Sequence, residues 1–326
     1  MDIVPFTAAC AAPALHIARQ LYDREREFVK ELPPVMSTDL FPDLAGMAKN
    51  GLGVAAYNGD EMVGYWCVLD PFANAFCSTD AVGVFSPMGA NGAIGPAREE
   101  TYAKMYQAGA QKWAQAGASS HAVCLYAHDA PIQRLLFYNG FGMRCMDAIR
   151  PVDTPPPTAC PGYRLQELTG NDRLAVQPFS HLLDEHMAAS PTFLRRPAES
   201  AAAFAARVLP SSVRYFAAFV HQATAPQKQE QIAAFLGLEA GSGETFLTNL
   251  PHTQHICGAY CLPGHRGKGL YQSLLYYTLR KLRQEGYTHL GVDYESINPT
   301  ALHFWPKHFG VYTHSLVRRI DEHSLE

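Results

Sequence analysis

Two stretches of the chain repeat one order of apolar and polar positions. Between Pro96 and Ala116, the residues Tyr102, Met105, Tyr106 and Trp113 fall on one stripe of an amphipathic helix, and Gly117 follows as a helix stop. Between Leu270 and Glu285, Tyr271, Leu274, Leu275 and Leu282 take the same places, and Gly286 follows; an offset of 169 residues superposes all five pairs. Each helix leads into an apolar strand and a second, shorter helical pattern, "HAVCLYAHDAPIQRLLFYNGFG" and "HLGVDYESINPTALHFWPKHFG". An offset of 168 aligns His121 with His289, Tyr126 with Tyr294, Pro131 with Pro299, and Phe141-Gly142 with Phe309-Gly310. The change of one residue is a loop insertion or deletion, and the pattern predicts one fold used twice.

Each half also has a leading pair of strands. In the first, "GLGVAAY" and "MVGYWCVLD" flank "NGDE", a hairpin signal. In the second, "VRYFAAFV" and "QIAAFLGLEA" flank the polar "HQATAPQKQE". Between the halves, "PVDTPPPTACPG" can enter neither a helix interior nor a central strand. The expected class is α/β (α+β), with two tandem domains, each a mixed central β-sheet flanked by helices. The expected division is 1–150, a proline-rich linker at 151–162, and 163–326.

Composition narrows the function. With 326 residues and a net charge of -4, the chain has two cores' worth of length and no basic surface to neutralise a nucleic acid. Eight scattered cysteines without CxxC pairs read as buried or incidental thiols rather than disulfide staples. No stretch approaches the roughly 20 apolar residues of a membrane span, and Asp2 stands where a signal peptide would carry positive charge. A cytoplasmic protein, monomer or homodimer, is expected, with neither nucleic acid nor membrane as partner. The acidic balance favours a cationic small molecule as partner.

One turn carries chemistry. The strand "HICGAYCL" runs through Pro263 into Gly264-His265-Arg266-Gly267-Lys268-Gly269, and a helix starts near Leu270. Its glycines let consecutive N–H groups converge on an anion, the helix start adds partial positive charge, and Arg266 and Lys268 add full charges. This is the composition of a pyrophosphate cradle. A nucleotide P-loop fits less well, because Lys268 is followed by Gly269 and Leu270 rather than by the Ser or Thr that holds magnesium. In the first half the corresponding residues are Gly95-Pro96-Ala97-Arg98-Glu99-Glu100, where two carboxylates replace the basic turn.

The stretch "RGKGLYQSLLYYTLRKLRQEGYTHLGVDYESINPTALHFWPKHFG" resembles the acetyl-coenzyme A binding core of the GCN5-related N-acetyltransferases. Arg266, Gly269, Asn298, Ala301 and Phe309-Gly310 stand where that family has its strand-to-helix turn, its Asn and Ala, and its closing aromatic and Gly. Tyr271 occupies the slot of the turn's last small residue, a departure that crowds the turn. With the internal repeat, the whole chain resembles the tandem two-domain members. The resemblance implies that acetyl-coenzyme A is held by Tyr260, Cys261, Leu262, Arg266, Gly267, Lys268, Gly269, Leu270 and Asn298. It implies an N-acetyltransferase without a metal, moving an acetyl group to the amine of a small-molecule acceptor by direct attack.

Such chemistry needs a base for the ammonium proton and an acid for the thiolate. His255 is a candidate base, with Asp293 and Glu295 as alternatives on one face of "LGVDYE". The family's usual acid position holds Trp305, which cannot donate as a phenol does; Tyr294, Tyr271, Tyr260 or water remain. Trp305 and the acidic first half also suit a non-catalytic acyl-coenzyme A sensor or scaffold. The first domain is expected to be structural or substrate-shaping. His252, His255, Cys257, Cys261 and His265 are spread over about 40 Å of extended chain and do not converge on a metal.

Overall fold

A computed structural model describes residues 1–34, 41–77, 81–153, 160–220, 231–240 and 250–325. The chain runs through β1 (Asp2–Pro5), α1 (Ala11–Phe28), α2 (Leu44–Met47), β2 (Val54–Asn58), β3 (Glu61–Trp66), β4 (Gly83–Ser86) and β5 (Asn91–Ala93). It continues with α3 (Arg98–Gln115), β6 (Ser120–Tyr126), α4 (Ala130–Tyr138), β7 (Gly142–Pro151), β8 (Tyr163–Leu168), α5 (Gln177–Ala188) and α6 (Ala201–Val208). Then come β9 (Arg214–Val220), β10 (Ile232–Ala240), β11 (Thr253–Cys261), α7 (Leu270–Gln284), β12 (His289–Glu295), α8 (Pro299–Phe304) and β13 (Gly310–Arg319). Both repeated helices form where the pattern placed them, and Gly117 and Gly286 stop them with positive φ of 84° and 85°. Residues 154–159 of the proline-rich stretch and the polar segment "HQATAPQKQE" lie outside the described residues.

Two compact units result, Met1–Ala148 with Tyr294–Glu326, and Ile149–Asp293. Residues 294–326, which hold the end of the second repeat and the residues after it, therefore belong with the first unit by compactness. The reason is strand pairing. β13 pairs antiparallel with β6 from Thr313↔Tyr126 to Arg319↔Ser120, and Thr313 Oγ1 donates to Asp147 Oδ2 of β7 while accepting from the Asp147 N–H at 3.1 Å.

In the first unit, β1-β2-β3-β5 form one antiparallel ribbon and β4-β6-β13-β7 a second run. The buried stripe of α3 packs here: Trp66, Tyr102, Met105, Tyr106 and Trp113 share one core. Trp66 lies edge-on to Tyr102 and Trp113 at 5.5 and 5.6 Å between ring centres. Gly109 is required by this packing, since a Cβ there would stand 2.9 Å from the Trp113 ring.

His121 is buried beneath that core at 1 % exposure, with Nδ1 3.1 Å from the Tyr106 hydroxyl and Nε2 3.2 Å from the Ala118 carbonyl. Burial pushes its pKa down to about 4 from 6.5. A histidine depressed on folding contributes fully above its unfolded pKa and loses that contribution as pH falls towards the folded value. Between pH 6.5 and pH 4 the first unit should lose about 3 kcal/mol from this residue. His314, also pushed to about 4 by burial and then by the nearby His128, acts in the same direction. Urea midpoints read by tryptophan fluorescence across this range check the prediction, and an identical pH profile in His121→Gln would refute the assignment to His121.

In the second unit the order is β12-β11-β10-β9-β8. α5 and α6 bury Phe179, Phe204 and Val208 with Leu168, Tyr215 and Phe235 of the strands. α7 buries Leu270, Leu274, Leu275, Leu279 and Leu282, spacings of three, four and one that keep one stripe. No described helix of the chain is long and apolar enough to cross a membrane.

Candidate active site

The strands that position the site begin together and then part. β11 and β12 pair in parallel from Thr253↔His289 to Ile256↔Val292, and both run on past that rung. On its other side β11 stays paired with β10, but the register shifts between Gly237 and Leu238, which leaves Cys257 as an extra residue in β11. After this bulge the Leu262 N–H donates to the Ala233 carbonyl at 2.9 Å. Backbone N–H groups alternate along a strand, so those of Ala259 and Cys261 turn away from β10, toward the edge that β12 has left. The result is a length of strand offering backbone hydrogen bonds to a ligand.

The Arg266–Gly269 turn lies at the end of that strand. Pro263–His265 form a short 3-10 turn, and Gly267 and Gly269 take φ of 71° and 74°, the left-handed region open to glycine without strain. The last of these caps α7, whose first N–H groups have no partner within the helix. Arg266 is tied down: its Nε donates to the Cys261 carbonyl at 2.8 Å, and its guanidinium lies 5.3 Å over the Tyr260 ring. Lys268 Nζ donates to the Gly264 carbonyl at 2.8 Å. No carboxylate among the described residues forms an ion pair with either one. Both charges are held on the turn, uncompensated by any carboxylate of the described residues, as an anion cradle requires.

Most of the remaining expected cofactor residues support this turn by packing. Tyr260 and Leu262 join the apolar cluster under α5, where Tyr260 meets the His186 ring at 6.2 Å. Cys261 supplies the carbonyl for Arg266, and burial pushes its thiol up to about 11. Leu270 is buried at the head of α7. Asn298 has a different place, as the cap of α8: its Oδ1 accepts from the N–H groups of Thr300 and Ala301 at 3.1 and 3.5 Å.

Of the four candidate catalytic residues, the structure brings two together. His255 Nε2 lies 2.6 Å from Asp293 Oδ1, across the last paired rungs before β11 and β12 part. The imidazole is buried, with its side chain 6 % exposed, whereas that of Asp293 is 49 % exposed. It is therefore the carboxylate of the pair that meets solvent. Glu295 shares a strand face with Asp293 but is engaged by Arg144 Nε at 2.7 Å. Tyr294 faces the other way, and burial, then the charges of Cys145 and Asp147, pushes its phenol up to about 12. Trp305 is buried against Phe304 and Phe309.

The first unit contains a counterpart that the sequence reading missed. Arg98, at the head of α3, donates from Nε to the Ala93 carbonyl at 2.8 Å, five residues back, the same bond that Arg266 makes to Cys261. Its Nη2, however, is bound to the Asp129 carboxylate. Asp129 stands at the N-cap position of α4, as Asn298 does for α8, but its side chain makes no cap hydrogen bond, so a carboxylate turned to Arg98 stands where the second repeat has a capping amide. In one unit the arginine is neutralised from within and in the other it is left charged. The helices themselves align at 169, but the offset of 168 that aligns the strands after them places Arg98 on Arg266, and that was the available signal.

Residues 185–311 match the family model described as the acetyltransferase (GNAT) family. No curated protein matches the chain. Among solved structures, a GCN5-related N-acetyltransferase from Sphaerobacter thermophilus is similar over 98 % of this chain and 95 % of its own, with a TM-score of 0.60 and 13 % identity. The glucosamine N-acetyltransferase region of a fungal multi-domain GH3 β-N-acetylglucosaminidase is similar over 97 % of this chain and 38 % of its own, with a TM-score of 0.51 and 11 % identity. At such identities the likeness is one of fold. Residues 185–311 thus resemble the acetyltransferase (GNAT) family, and along almost its whole length the chain shares its fold with a GCN5-related N-acetyltransferase.

Proposed function

We propose that the second unit transfers an acetyl group from acetyl-coenzyme A to the amine of a small acceptor by direct attack. The observation that carries this reading is the contrast between the two arginines: only Arg266, with Lys268, keeps its charge available at the end of a strand opened along one edge. Arg266, Lys268 and the N–H groups from Gly267 to Leu270 would hold the pyrophosphate. The N–H groups of Ala259 and Cys261 would hold the pantetheine arm, and an N–H of this strand would receive the negative charge that develops on the thioester oxygen.

Asp293 is the base in this proposal. It takes the proton of the acceptor ammonium, and the freed amine attacks the thioester carbon. His255 positions the carboxylate through the 2.6 Å hydrogen bond. The C–S bond breaks as the C–N bond forms, the thiolate leaves, and the nitrogen, cationic after attack, gives its second proton to solvent. A thiol of this kind has a pKa of about 8.5, so solvent suffices to protonate the thiolate and no tyrosine is needed for that step.

Arg266→Glu with Lys268→Glu should weaken coenzyme A binding at least tenfold, about 1.4 kcal/mol. Calorimetric titration reads this directly, and an unchanged affinity would refute the cradle. Thiol release with acetyl-coenzyme A and a panel of amines tests the transfer itself. Binding without release across the panel would favour a non-catalytic acyl-coenzyme A sensor instead.

A further inference from the structure

Three side chains of the turn before α7 reach away to hold it, and they differ in what they hold. Arg266 and Lys268 each give one donor to a backbone carbonyl of their own segment, Cys261 and Gly264. His265, half-buried, is tied to another strand: its Nδ1 lies 2.7 Å from the hydroxyl of Tyr163, the first residue of β8, 102 positions earlier. The two rings meet edge-on at 5.6 Å between centres, and the His265 N–H donates to the Leu262 carbonyl at 2.9 Å. Backbone and ring are both fixed, and Nε2 makes no hydrogen bond among the described residues.

A phenol anchors a histidine in either protonation state. A carboxylate would favour the imidazolium throughout, and a carbonyl can only accept. The hydroxyl can donate to Nδ1 of the neutral ring or accept from Nδ1–H of the charged one, and in both arrangements Nε2 carries a hydrogen. The charged and titratable groups around the ring are Arg266 and Lys268 on the turn, Tyr163 with Cys160 just before β8, and Cys261 of β11; His186 of α5 meets Tyr260. Burial, then the thiols of Cys160 and Cys261, pushes the Tyr163 phenol up, so its hydroxyl keeps its proton where imidazoles ordinarily titrate. No carboxylate of the described residues pairs with His265.

We propose that His265 is a third phosphate-binding side chain of this turn, presented by Tyr163, and that a pyrophosphate settling there takes up one proton on the imidazole. The inference rests on the cradle proposed above. The diphosphate brings negative charge to a ring that otherwise neighbours two cations, which favours the imidazolium in the complex. The proton comes from solvent to the ring, Nε2–H donates to a phosphate oxygen, and Nδ1–H then donates to the Tyr163 hydroxyl. Tyr163 is the positioning residue and His265 the one that touches the ligand.

A phosphate monoester has a second pKa of about 6, so the 3′-phosphate of coenzyme A would add protons of its own. The probe is therefore 3′-dephospho-coenzyme A, which keeps the pyrophosphate and lacks that group. Calorimetric titration of the full chain in buffers of differing ionisation enthalpy reads proton uptake as a slope. Near pH 7 the parent should take up a measurable fraction of one proton, and its affinity should fall about fivefold from pH 5.5 to pH 8, the difference between a charge-assisted hydrogen bond and a neutral one. His265→Gln should bind without uptake and with an affinity that does not follow pH. Tyr163→Phe should keep the uptake and bind more weakly at every pH, since the ring still titrates but is no longer presented. Binding by the parent without uptake, uptake that survives His265→Gln, or unchanged affinity in Tyr163→Phe would overturn the inference and leave the cradle standing. No binding at any pH would overturn both. Should either variant fail to fold, the uptake and pH dependence of the parent decide.

Discussion

Replacing Asp293 by Asn should lower kcat for acetyl transfer by about 10²–10⁴-fold while leaving coenzyme A affinity within a factor of two. The amide keeps the size of the carboxylate and can still meet His255, so what is lost is the capacity to accept a proton. With its side chain about half exposed, Asp293 is not part of a packed core, and melting of the variant should match that of the parent. His255→Gln should have a smaller effect, because it removes the orienting partner and spares the carboxylate. The measurement is steady-state thiol release at saturating acetyl-coenzyme A, with the apparent kcat followed against pH for both variants. A positioning role for His255 predicts an altered pH profile as well as a reduced rate, whereas a merely structural role predicts neither. Full activity in Asp293→Asn would remove it from the mechanism.

Trp66→Ala should destabilise the first unit by about 3–5 kcal/mol. Trp66 is completely buried, with Tyr102, Tyr106 and Trp113 around it at 5.5 to 5.7 Å between ring centres. Three of the four rings come from α3, so a void at the fourth removes contacts along about three turns of that helix. The indole Nε1 of Trp66 is itself buried without a hydrogen-bond partner among the described residues. Trp66→Phe should therefore cost less than the lost ring volume suggests, since the smaller ring also removes an unsatisfied donor. Urea unfolding, followed by the fluorescence of Trp113 and Trp305, measures both variants. Alanine costing no more than phenylalanine would show that this core repacks freely.

The parts of the fold that were legible were those in which one element's own spacing decides its state. The stripes of α3 and α7, their glycine stops and the turn before α7 all depend on residues within about twenty positions of one another. The pairing of β13 with β6 is different in kind. Alternation along "VYTHSLVRR" marks a strand but does not name its neighbour, and nothing local distinguishes β6 from any other exposed edge. The same limit applied to the site. His255 and Asp293 were both readable as polar residues on strands, yet their hydrogen bond spans 38 positions and depends on the parallel register of β11 and β12. For Asn298, the helix cap at Asn-Pro-Thr was written in the sequence, and the functional reading passed over it. The two acidic residues after Arg98 drew attention from the arginine itself, whose bond to the Ala93 carbonyl repeats that of Arg266.

The place of β13 fixes an order of events during synthesis. Tyr126 and its partner Thr313 are 187 positions apart, 313 less 126, so the ribosome adds the whole of Ile149–Asp293 before the first unit can close its sheet. At about 5–20 residues per second, β6 waits for roughly ten seconds or more with an edge that lacks its strand. An exposed edge of that duration invites pairing with other chains. Slow decoding between the two strands would lengthen this interval, and a chaperone that covers β6 would shorten its consequences.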